Sequence, residues 1–145
     1  MTDTAKRVGS ETLPTAGWET IEERVAPQRQ ALRNYVAAVN AKDVDAIVAL
    51  FAEDATIEDP YGGLRHNIQG HAAIREFYQF VVAKTRMELR VVTGSGGNAA
   101  AMALRSHVLG DILDVISVAQ FNDAGKIVQY TTYWGPGDRR PATSA

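Results

Sequence analysis

The stretch Tyr35-Val36-Ala37-Ala38-Val39-Asn40-Ala41-Lys42-Asp43-Val44-Asp45-Ala46-Ile47-Val48-Ala49-Leu50-Phe51-Ala52-Glu53-Asp54-Ala55-Thr56-Ile57-Glu58-Asp59-Pro60-Tyr61-Gly62 passes from a helical to a strand period, and that change decides the fold. Its first residues continue a stripe in which Leu32, Tyr35, Val36 and Val39 recur at spacings of three and four, which predicts one apolar helix face over residues 18–40. Pro27 lies inside that range and should kink the helix or begin it anew. Asp43 suits the N-cap of a second helix whose apolar face is Val44, Ile47, Val48 and Phe51. Over residues 55–59 the period becomes two, a strand in which Ala55, Ile57 and Asp59 share one face and Thr56 and Glu58 the other. Pro60 and Gly62 then open a loop.

Downstream of the loop, Ile74, Phe77, Tyr78 and Val81 mark one face of a third helix. Strand patterns follow at 87–93, 99–109, 111–121 and 126–134, and Asn122-Asp123-Ala124-Gly125 reads as a hairpin turn. Helices followed by a meander of strands predict an α+β domain, with three helices packed on one face of a curved antiparallel or mixed sheet. Residues 1–17 read as a flexible N-terminal arm, 18–135 as a single domain and 136–145 as a flexible tail.

Composition narrows the function classes. Hydrophobic residues are 46% and charged residues 22% of 145, with a net charge of −2. There is no basic stripe to displace counterions from a phosphate backbone, so nucleic acid is not an expected partner. Cysteine is absent, which removes thiol catalysis and thiolate metal sites. His66, His71 and His107 lack paired ligand spacing, so no metal is expected. The longest apolar run, residues 46–52, is far below the roughly 20 needed for a membrane span. Without a signal-type apolar segment at the start, the chain is read as cytoplasmic.

A few residues conflict with their surroundings. Asp59 puts a carboxylate on an apolar strand face, a candidate proton acceptor, although a cap for the Pro60 turn is the alternative. Tyr35 sits in the middle of an apolar helical stripe, so its hydroxyl needs a partner, either a ligand or a backbone carbonyl. Tyr78 presents the same choice. Ser117 shares a strand face with Leu113, Val115 and Ala119, while Asp114 points the other way. Tyr130, Thr132 and Trp134 alternate on one face of the last strand, as a flat ligand wall or as core. Arg105 and His107 read as a solvated face.

From Tyr35 to Gly62 these hints join, and the chain resembles the bacterial Δ5-3-ketosteroid isomerases, members of the NTF2-like and SnoaL-like group. The likeness continues through Ala73-Ile74-Arg75-Glu76-Phe77-Tyr78 and resumes from Leu113-Asp114-Val115-Ile116 to Tyr133-Trp134. It is weakest over 83–110, where a shortened hairpin is expected. The resemblance implies an NTF2-like cone and a cofactor-independent isomerase. It gives Asp59 the role of the base that moves a proton from C4 to C6 of a 5-ene-3-ketosteroid. It makes Tyr35 the phenol that meets the developing dienolate oxygen, with Tyr78 supporting it. Phe51 takes the place of a further network tyrosine that is sometimes Phe in this family, and Trp134 matches an apolar wall residue of some members. Both are expected to bind substrate, as are Val115 and Ala119, which share the strand face of Ser117. The second oxyanion donor in this family is an aspartic acid kept neutral, for which ketosteroid isomerase is itself the worked example. Ser117 stands there instead. A weaker donor at that place implies activity reduced by roughly one to three powers of ten, since losing a donor outright costs about 2.7–4 kcal/mol.

Isomerising a β,γ-enone needs one base and fixed hydrogen-bond donors in a dry pocket, with neither metal nor redox cofactor. The alternatives are a polyketide-cyclase-like enzyme of the same fold and a non-catalytic steroid- or lipid-binding protein. An epoxide hydrolase would require an Asp-Arg-Asp set, and Arg105 is followed two residues later by His107. Outward-facing Ile116 and Val118 suggest a homodimer through the sheet.

Overall fold

The computed structural model describes residues 17–63 and 67–142, and the backbone of residues 5–8 and 11–14. His66 lies outside the described residues, as do parts of the arm and the last residues of the tail. Within the arm, β1 (Ala5–Val8) and β2 (Glu11–Pro14) pair antiparallel with each other. Then come α1 (Trp18–Asn40), α2 (Val44–Ala49), β3 (Phe51–Glu58), β4 (Ile68–Gln69) and α3 (His71–Lys84). The chain closes with β5 (Thr85–Ser95), β6 (Ala99–Val108), β7 (Asp111–Phe121), β8 (Ile127–Tyr133) and β9 (Arg139–Pro141). Among the described residues no helix is long and apolar enough to cross a membrane.

Helix α1 runs unbroken through Pro27. Its buried residues include Val25, Leu32, Tyr35, Val36 and Val39, the stripe expected from their spacing. Asp43 caps α2 by accepting from the Ala46 amide at 3.0 Å. At the far end of α1, Asn40 donates to the Met87 carbonyl at 2.8 Å and accepts from the Met87 amide at 2.7 Å. One side chain thereby ties α1 to β5. Near the other end of the same strand, a Cβ on Gly94 would lie 2.7 Å from Val25 Cγ1. The missing side chain lets α1 settle on the sheet.

The large sheet runs in the order β4-β3-β8-β7-β6-β5, with β9 added against β7. Only the β3–β8 pair is parallel, so the sheet is mixed, and the three helices supply the α layer of an α+β fold. Inward rows alternate as a half-buried strand requires: Ala100, Met102, Leu104 and Ser106 on β6, and Val115, Ser117, Ala119 and Phe121 on β7. The β7–β8 turn forms as expected, with Gly125 at φ 79 and Asn122 Oδ1 accepting from the amides of Ala124 and Lys126.

Two expectations need correction. The hairpin expected to be short consists of strands of 11 and 10 residues paired along their whole length. Its alternation is masked on β5 by a register shift between Leu89 and Val91. The tail expected to be loose is paired with β7 as far as Pro141. Arg139 donates to Asp111 at 2.6 Å and Arg140 to Asp114 at 3.0 Å, pairs that Pro and Gly content does not advertise. Arg140, and Arg105 at 3.0 Å on the same carboxylate, hold the Asp114 carboxyl below its usual range. Arg105 and Asp114 therefore neutralise each other on the outer face of the sheet.

Candidate active site

Asp59 follows directly on β3, and the parallel register sets Glu58 opposite Thr131 on β8. The Tyr61 amide donates to the Thr132 carbonyl at 2.7 Å, so the chain beyond Asp59 stays beside β8. The Asp59–Pro60 peptide bond is cis. On β8, alternation brings Thr132 and Trp134 to the same side. The Trp134 indole N–H donates to Asp59 Oδ1 at 2.8 Å, and the Thr132 hydroxyl donates to the same oxygen. Oδ2 has no hydrogen-bond donor among the described residues. One carboxylate oxygen is thus anchored and the other meets no donor there.

Three phenols gather across from it. Tyr35 on α1 and Tyr78 on α3 have hydroxyls 2.8 Å apart and rings packed edge to face at 5.7 Å. Tyr130 on β8 lays its ring 5.0 Å from that of Tyr35. Burial is the chief cause that pushes all three phenols well above the ordinary tyrosine range. The charges of neighbouring phenols and of Asp59 add to it, while hydrogen bonding from Tyr130 to Tyr35, from Tyr35 to Tyr78 and from Ser117 to Tyr130 pulls the other way. The consequence is chemical: at working pH the cluster consists of neutral hydrogen-bond donors, able to meet a developing negative charge.

These groups line one end of a cavity of about 340 Å³, within the roughly 300–1,000 Å³ of small-molecule sites. Met87, Leu104, Leu113 and Val115 make its apolar walls. Exposed Phe80, Leu109 and Arg139 mark its mouth, whereas Tyr35 is only 2% exposed and Ser117 fully buried. Ser117 Oγ lies at this inner end without a partner in hydrogen-bonding geometry.

Of the residues expected from sequence, Asp59, Tyr35, Ser117, Tyr78, Trp134 and Val115 come together on the cavity wall. Phe51 and Ala119 do not. Phe51 packs behind the phenols, its ring 6.1 Å from those of Tyr78 and Tyr130. Ala119 faces Tyr130 across the β7–β8 pair, where its small side chain makes room for a phenol. Trp134 is more than an apolar wall, because its N–H holds Asp59. From the sequence Tyr130 and Thr132 read as wall or core; their shared alternation with Trp134 is the available signal, and it carries no information about which polar atoms meet.

The profile of the SnoaL-like domain family matches residues 32–130, the span that supplies Tyr35, Asp59, Tyr78, Ser117 and Tyr130. The chain belongs to the SnoaL-like family. Within that setting, it is 37% identical over 117 residues to a protein named Steroid Delta-isomerase from Nocardioides simplex, covering 78% of this chain and 94% of the relative. The epoxide hydrolase/cyclase-like enzyme SalBIII, described in pyran ring formation in polyether salinomycin, superposes with a TM-score of 0.73. That match is 30% identical and covers 80% of this chain and 96% of the other. A computationally designed 17-OHP binder superposes with a TM-score of 0.74 over 81% of this chain and 98% of its own, and at 21% identity it shares the fold alone. The proteins similar to this chain thus carry different names on one fold, and the site rather than the fold must decide among them.

Proposed function

We propose that the protein is a steroid Δ5-3-ketosteroid isomerase, moving the double bond of a 5-ene-3-ketosteroid into conjugation. The observation that carries this reading is one apolar cavity lined both by a carboxylate held through one of its oxygens and by the buried Tyr35–Tyr78 pair. Asp59 takes the C4 proton; the C4–H pair becomes a C3=C4 bond and the carbonyl π pair moves onto the C3 oxygen, leaving a dienolate with C5=C6 in place. As the carbonyl re-forms, the C3=C4 pair shifts to C4=C5 and the C5=C6 pair takes the proton back from Asp59 at C6. Charge gathers on the C3 oxygen, where Tyr35 donates, with Tyr78 behind it. Ser117 stands where the resemblance puts the second donor. Fixed donors in a dry site lower such a barrier because they need no reorganisation as charge develops. The 37% identity to a steroid delta-isomerase supports the same reading.

A cyclase reading has one specific support, the 30% identity to SalBIII. The residues favour the isomerase. Arg105, the arginine an epoxide-opening set would want, faces outward to Asp114 and lies off the cavity wall. Purified protein incubated with 5-androstene-3,17-dione should build up the ultraviolet absorbance of a conjugated enone. Steroid that binds without this signal would favour a non-catalytic binder, and steroid that does not bind would favour the cyclase.

The outer sheet face supports a homodimer. Ile116 is 49% and Tyr133 47% exposed on neighbouring strands, an apolar pair that water solvates poorly. Light scattering should give twice the 15.7 kDa of one chain; a monomer mass at micromolar concentration would refute the dimer.

A further inference from the structure

Tyr130 is the phenol for which the isomerase reading has no role, and its position gives it one. It is 2% exposed, lines the buried end of the cavity and stacks at a tilt of 37° on Tyr35. Its strand partner is Ala119, and Thr132 pairs with Ser117, so Tyr130 is the diagonal neighbour of Ser117. A tyrosine side chain spans that diagonal. The Ser117 hydroxyl lies near enough to ease ionisation of Tyr130, although it makes no well-formed hydrogen bond to any described residue. A buried hydroxyl left unpaired costs stability, so its orientation at the inner end calls for a function.

We propose that Tyr130, rather than Ser117 itself, is the second group donating a hydrogen bond to the substrate's enolate oxygen, with Ser117 donating to the Tyr130 hydroxyl. The proposal rests on the isomerase reading and adds a catalytic residue to it. A phenol titrates near 10 in water and is a far stronger donor than an aliphatic hydroxyl. It also reaches from the sheet into the cavity, where the short serine side chain stays against the strand. The two walls then match. Tyr35 from the helix layer has Tyr78 behind it, and Tyr130 from the sheet has Ser117 behind it. Each front phenol gives its single proton to the substrate oxygen and accepts one from its supporting hydroxyl. Ser117 is a positioning residue, acting through Tyr130.

The test combines turnover of 5-androstene-3,17-dione with binding of a phenolic steroid, whose ionised ring imitates the dienolate and reports by absorbance. Tyr130→Phe should lower kcat by roughly a hundredfold or more with KM within about threefold, as for loss of one oxyanion donor. Ser117→Ala should lower kcat by about tenfold or less, and the double variant should match Tyr130→Phe, because the serine works through the phenol. The bound phenolic steroid should be less ionised in Tyr130→Phe than in wild type, a change that a packing role would not produce. Unchanged kcat and ionisation in Tyr130→Phe overturn the proposal. So does a Ser117→Ala loss that adds in full to that of Tyr130→Phe. If wild type turns nothing over, the isomerase reading fails. The ionisation of the phenolic steroid then still decides whether Tyr130 donates to a bound oxygen.

Discussion

Asp59→Asn binds a 5-ene-3-ketosteroid about as tightly as wild type and turns it over roughly a hundred to ten thousand times more slowly, the usual contribution of a positioned base. The separation of binding from rate follows from the way the side chain is held. Trp134 and Thr132 both donate to one carboxylate oxygen, and the amide oxygen of Asn accepts those bonds in the same place. What is lost is the second oxygen, replaced by an NH₂ group that takes up no proton. The steroid's contacts are chiefly with the apolar walls, Met87, Leu104 and Leu113 among them, which the substitution leaves alone. Stopped-time absorbance of the conjugated product and a steroid titration of the same preparation measure the two effects. Turnover in Asp59→Asn above about a tenth of wild type would remove Asp59 from the role of base.

Tyr35→Phe should cost about 2.7–4 kcal/mol of transition-state stabilisation, a fall in kcat of roughly a hundred- to a thousandfold with little change in KM. A hydrogen bond that strengthens as charge moves onto the steroid's oxygen acts on the barrier and hardly on the bound ground state. The same change strips Tyr78 of its partner at 2.8 Å, so a stability loss of about 1–3 kcal/mol should accompany it. Urea unfolding reads that loss, and the variant must still be folded when its rate is measured. Equal rises in KM and falls in kcat/KM, with kcat preserved, would make Tyr35 a binding residue only.

Local patterns made much of this visible in the chain. Helix α1 extends over the residues its apolar stripe predicts, because burial of one helix face leaves a spacing that any short window records. The pairing of Ala55 and Ile57 with Asp59 on one face, and of Val115 and Ala119 with Ser117, is equally local. What stayed hidden depends on which strands become neighbours. The bond from Trp134 to Asp59 exists because β3 and β8 run parallel across a gap of some seventy residues, a register that no window contains. Tyr130 on β8 meets Tyr35 on α1 across the helix and sheet layers, a contact no more local. Phe51, at the place of a family network tyrosine, and Ala119, on the strand face of Ser117, lie off the cavity wall and pack against Tyr130 instead, a neighbour that neither local pattern names. The tail misled because Pro136, Gly137 and Pro141 suggest a loose end, whereas Arg139 and Arg140 find carboxylates on β7.

In the proposed isomerase one carboxylate carries one proton along one face of the substrate. The most direct test of that transfer is mass spectrometry of the product from 5-androstene-3,17-dione deuterated at C4, run with wild-type protein. The expected result is a conjugated enone that forms and retains a good share of the label at C6, because Asp59 is partly buried and covered by the bound steroid, so that the abstracted deuteron is returned before it exchanges. A conjugated product with no label above the solvent background, or no conjugated product from steroid that is demonstrably bound, would contradict it.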